Sequence, residues 1–171
     1  MYLKGNGLPQ DYEVAMTWFR KAADSGNALG QYNVGVLFHE GLGVVQNSTQ
    51  AAKWYRLAAD QGYLAAMFNL GLSYGSGEGV PEDDVTAAKW HRKAAEGGLS
   101  DSQVNLGMRY SLGLGVALDT VVAYKWLMIA GERGSKLGRE QRQIVEAKMP
   151  PKDIAEAETL AWAWLARHGK K

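Results

Sequence analysis

The residues of this chain best equipped for chemistry are three histidines, one acidic run and a series of glycine-rich loops. His39, His91 and His168 are distant from one another, and no His-x-x-x-His pair occurs. Metal ligation needs convergent ligands at a suitable spacing, so a structural or surface role suits these imidazoles better. Glu82, Asp83 and Asp84 form a carboxylate cluster, yet Asp83 is needed as a helix cap, and no calcium-loop alternation of acids followed by Gly appears. The loop "GSGEGV" invites an anion, because helix N-termini attract negative charge. It fails the dinucleotide pattern, follows a helix instead of a strand, and recurs as a structural turn would. No Gly-Lys-Ser/Thr phosphate loop and no nucleophile–base constellation can be named. The expectation is a protein that is not an enzyme, with no metal and no cofactor.

Those loops belong to a larger regularity. Trp18, Trp54, Trp90 and Trp126 recur every 36 residues, and Asn33, Asn69 and Asn105 share the interval. So do Gly41, Gly77 and Gly113, then Gly43, Gly79 and Gly115, and the alanine column Ala15, Ala51, Ala87 and Ala123. Gly26, Gly62, Gly98 and Gly134 close each unit. A shared period of this size marks a repeat array that stacks copies of a small unit.

Within residues 64–99 the unit reads as helix, glycine-rich turn, helix, glycine stop. Met67, Leu70 and Tyr74 fall on one face of the first helix. Gly75, Gly77 and Gly79 allow positive φ in the turn, and Asp83 caps the second helix, as Asp11, Asn47 and Asp119 do in the other units. Ala87, Trp90 and Ala94 form the inner face of that helix, leaving Lys89, Arg92 and Lys93 outside.

The ends depart from the pattern. Residues 1–27 form a partial unit whose first helix is nearly absent, Tyr2 matching the Phe38, Tyr74 and Tyr110 positions. An uncapped unit exposes Trp18 and Phe19, which predicts a missing upstream segment or a homo-oligomer formed through this end. At the other end Phe19-Arg20-Lys21 is replaced by Leu127-Met128-Ile129, an apolar face that asks for a cover. Helical candidates at 138–148 and 152–167, separated by Pro150-Pro151, supply it. The organisation is therefore repeats over 1–135, with complete units at 28–63, 64–99 and 100–135, followed by capping helices over 136–171.

Composition narrows the partners. A net charge of +1 gives no electrostatic case for nucleic acid or an anionic membrane. No apolar run approaches the roughly 18 residues of a membrane span, and the start lacks signal-peptide features. The absence of cysteine leaves the compartment unknown: cytoplasmic, periplasmic or exported.

These units resemble Sel1-like repeats, relatives of tetratricopeptide repeats. The carrying residues are "NVGVLFHEGLGVVQNSTQAAKWYRLAADQG" at 33–62 and its copies at 69–98 and 105–134. The resemblance implies an all-α, right-handed α/α superhelix (a solenoid) of antiparallel helix pairs, with the 36-residue repeat. It also implies a scaffold or adaptor, in many bacterial cases, that binds a protein or peptide along a concave groove. Alternatives are a regulatory or activator subunit of a cell-envelope or signalling enzyme, and a hydrolase acting on a β-lactam or peptidoglycan-like substrate.

In related helix-pair solenoids the first helices line the groove. With Val34, Phe38, Leu70, Tyr74, Leu106 and Tyr110 facing the core, positions two residues away fall roughly opposite. Candidate binding residues are therefore Tyr32, Val36, Phe68, Leu72, Val104 and Met108, with His39 at one helix end. Asn33, Asn69 and Asn105 form an amide ladder able to clamp an extended backbone or, equally, to satisfy bonds between repeats.

Overall fold

The computed structural model describes residues 11–169. Among these residues the chain forms nine α-helices: α1 (Tyr12–Asp24), α2 (Ala28–Glu40), α3 (Ser48–Asp60), α4 (Leu64–Ser76), α5 (Asp84–Glu96), α6 (Ser100–Leu112), α7 (Thr120–Glu132), α8 (Lys136–Glu146) and α9 (Pro151–His168). Seven helices of identical length, α1 to α7, keep the 36-residue frame. The predicted start of the first unit, Met1-Tyr2 included, lies outside the described residues.

The caps explain the frame. Asp11, Asn47, Asp83 and Asp119 all adopt extended backbone and accept a hydrogen bond from the N–H three residues on. Each satisfies one of the donors that a helix start leaves free. Gly26, Gly62, Gly98 and Gly134 take positive φ just past the second helices and end them. Gly77 and Gly79 are left-handed as expected, but Gly75 is not. It still lies within α4, whose backbone ladder runs on to Ser76 before Gly77 terminates it.

The contacts divide the chain after Glu82 into two compact units. In the first unit α1 packs on α2, α2 on α3 and α3 on α4. Its core is Val34, Leu37, Tyr55, Leu70 and a set of buried alanines. Close approach has a visible cause: a Cβ on Gly35 would lie 2.6 Å from the Tyr55 ring. Trp54 is only half-buried, and the Arg20 guanidinium covers its ring at 4.8 Å. Trp18 is 58% exposed and Phe19 half-buried.

In the second unit α5 packs on α6, α6 on α7, and α7 on both α8 and α9. Leu127, Met128 and Ile129 are buried in one core with Ala157, Ala161 and Leu165 of α9. The apolar face of α7 thus has its cover. The Trp126 and Trp164 rings meet edge to face at 5.8 Å across this junction. No helix of the described residues is long and apolar enough to cross a membrane.

Candidate functional site

A cavity of about 290 Å³ opens on the first unit, lined by Tyr32, Val36, His39, Glu40, Tyr55, Asn69, Leu72, Ser73 and Glu78. Three helices and one loop build it. The Asn27 cap starts α2 and thereby sets Tyr32, Val36 and His39 at successive turns. Asn69, Leu72 and Ser73 share one face of α4 in the same way. Tyr55 reaches in from α3 past Gly35, where any side chain would block its ring. Glu78 sits between the two left-handed glycines of the loop, its carboxylate held by a 2.8 Å bond donated by the Ser48 hydroxyl.

Aromatic stacking fixes the inner wall. The Tyr32 ring centroid is 5.9 Å from that of Tyr55 and 5.0 Å from that of Tyr63, both pairs tilted. Burial, the main cause, raises the pKa of Tyr55 and of Tyr32, against the opposing effect of the neighbouring Asn69 side-chain amide. Both hydroxyls therefore stay protonated and remain neutral polar groups.

The outer wall is acidic. His39 Nε2 lies 3.7 Å from Glu40 Oε1 and His39 Nδ1 lies 3.5 Å from Glu78 Oε1, all three side chains being partly exposed. No group of three or more His, Asp or Glu among the described residues is placed to hold a metal ion. The cavity thus offers hydrogen bonds, aromatic faces and negative charge.

Five of the ten expected binding residues, Tyr32, Val36, His39, Asn69 and Leu72, come together here. The others go elsewhere. Asn33 and Asn105 each donate an amide N–H to the carbonyl four residues back in their own helix, to Leu29 and Asp101. Phe68 is half-buried. Met108 lines a separate recess of about 130 Å³ with Ile144 and Lys148 of the second unit.

Val104 is a correction. It is 2% exposed and belongs to the core shared with Trp126, Val145 and Leu165. The face of α6 that the repeat pattern leaves open is used in packing against α8. Of the expected groove residues, five thus line one recess in the first unit and Met108 lines another in the second.

Four lining residues, Glu40, Tyr55, Ser73 and Glu78, are not singled out by the repeat pattern. Glu78 carries a signal all the same: the middle position of the Gly-x-Gly turn is Leu42 and Leu114 in the other units.

The family model described as Sel1 repeat matches residues 1–27, 28–63, 64–99 and 100–135. No curated protein matches. Among solved structures, the chain is similar to a protective antigen of uropathogenic Escherichia coli strains that displays an SLR fold, with 33% identity and a TM-score of 0.68. That match covers 96% of this chain and 43% of the other, so the chain spans less than half of that protein. It is also similar to a Sel1 repeat protein from Oxalobacter formigenes, with 30% identity and a TM-score of 0.82, over 98% of this chain and 70% of that one.

Proposed function

The chain belongs to the Sel1 repeat family, and on that premise we propose that it is a non-catalytic binding module holding an extended segment of a partner protein against α2 and α4. The observation carrying this reading is the convergence of Tyr32, Asn69 and Leu72 on one solvent-open cavity. Leu72 is 42% exposed, an apolar side chain offered to solvent beside an amide and two phenols. That mixture suits a peptide, whose backbone needs hydrogen bonds and whose side chains need apolar contact. The residues expected to act are Tyr32, Val36, His39, Asn69 and Leu72.

Peptides selected from a random displayed library on the full chain provide the test. Leu72→Asp and Asn69→Ala are expected to weaken the selected peptides about tenfold or more, while Asn105→Ala leaves binding unchanged. Selected peptides indifferent to Leu72→Asp would put the interface on another surface.

A further inference from the structure

We infer that the cavity on the first unit is a receptor for an arginine side chain of the bound segment, a refinement that rests on the peptide-binding reading above. Two observations lead to a guanidinium. The first is the cavity's own chemistry: the exposed carboxylates of Glu40 and Glu78 line it on either side of His39, Tyr32 and Tyr55 give it aromatic faces, and no lysine or arginine lines it. Carboxylates paired with aromatic faces are the environment a planar cation prefers.

The second observation is the next register of the repeat. One period on, Ser48 becomes Asp84, Tyr55 becomes His91, Ser73 becomes Arg109 and Glu78 becomes Leu114. There the chain supplies a guanidinium of its own. Arg109 Nη1 pairs with Asp84 Oδ1 at 2.7 Å and donates to the Leu114 carbonyl at 3.4 Å. Its charge also depresses the pKa of neighbouring His91, a smaller effect than burial. So in the second unit a guanidinium ties the loop after α6 to the start of α5.

In the first unit the position of that arginine is Ser73, too short to fill the space, and the loop residue is a carboxylate instead of a leucine. Glu78 accepts from the Ser48 hydroxyl through Oε1, and His39 Nδ1 faces the same oxygen. A guanidinium entering beside Ser73 therefore meets Glu78 on one side and the Tyr55 wall on the other. The cavity volume is ample for one such side chain.

The test is an NMR titration of the full, isotopically labelled chain with the acetylated, amidated pentapeptide Gly-Gly-Arg-Gly-Gly and with its citrulline counterpart. Citrulline keeps the shape and loses the charge. The arginine peptide is expected to shift the Asn69 side-chain and Leu72 resonances and to bind about tenfold more tightly than the citrulline one. Glu78→Gln is expected to lower arginine affinity on the order of threefold to fivefold, as for a half-exposed charge pair.

Ser73→Arg is expected to fill the cavity from within and abolish the shifts, with no loss of melting temperature. If that variant fails to fold, Glu78→Gln still decides. Equal affinity for the two peptides, or no shifts at about 10 mM peptide, overturns the arginine assignment. The library experiment on Leu72→Asp judges the peptide groove separately, so the two failures are distinguishable.

Discussion

Gly115 and Asp84 meet backbone to backbone: a Cβ on Gly115 would overlap the Asp84 carbonyl. The same relationship joins Gly79 to Ser48 and Gly43 to Tyr12. The second glycine of each Gly-x-Gly turn therefore seats the loop on the first residue of the preceding second helix. Gly134 is different in kind, with φ of 100° and open space, nothing within 4 Å, where a methyl group would stand.

Gly115→Ala combines a left-handed φ of 69° with this collision, so it is expected to cost about 3 kcal/mol or more. Gly134→Ala adds conformational strain alone, about 1 kcal/mol. Denaturant unfolding of the two variants separates the terms. Equal losses would mean that the positive φ, and not the loop contact, requires the glycine.

This contrast also marks what the sequence makes legible. Caps such as Asp83 and stops such as Gly98 are local: one residue type satisfies one backbone need at one position, so the period reveals them. Tyr32, Val36, Asn69 and Leu72 are legible because they lie on single helices with known core faces. Tyr55 is not, because its entry depends on space left by Gly35 in another helix. Val104 misleads for the converse reason: its helix face is used by α8, an element outside the repeat. Non-local packing is what a periodic pattern omits.

His91 predicts a pH dependence of stability. It is fully buried, and burial with the Arg109 charge lowers its pKa from 6.5 to about 4. The unfolded chain then binds a proton that the folded chain refuses between those values. Stability attributable to His91 is complete above pH 6.5 and falls as pH drops toward 4, by at most about 1.4 kcal/mol per unit. His91 occupies the column of Tyr55 and Leu127, so His91→Leu is expected to flatten this slope in urea unfolding at pH 5 and pH 7.5. An unchanged slope in the variant would assign the dependence to other groups.

The amide ladder should divide by its partners. Asn33 and Asn105, both half-buried, make solvent-exposed bonds within their own helices, so Asn33→Ala and Asn105→Ala are expected to change stability by less than about 0.5 kcal/mol. Asn69 faces the buried Tyr55 phenol and the half-buried Tyr32 phenol, and Asn69→Ala is expected to cost about 1 kcal/mol. Thermal melts of the three single variants check this. Similar losses at all three would restore a uniform structural role for the column.

The two ends of one column make the sharpest stability prediction. Lys93 is exposed on α5 and reaches over the Trp90 ring at 4.4 Å, whereas its counterpart Ile129 on α7 is wholly buried. By repeat pattern alone, Ile129→Lys restores the basic residue of its column and looks harmless. In the fold it places an ammonium in the core that α7 shares with Ala157, Ala161 and Leu165. Desolvating an unpaired charge there is expected to cost about 3 to 5 kcal/mol. The reverse change, Lys93→Ile, forfeits only an exposed cation–π contact, about 0.5 to 1 kcal/mol. Denaturant midpoints of the two variants are the measurement. A mild Ile129→Lys would mean that α9 parts from α7 readily enough for the lysine to reach water, so the sign and size of this asymmetry report how firmly the terminal helix closes the array.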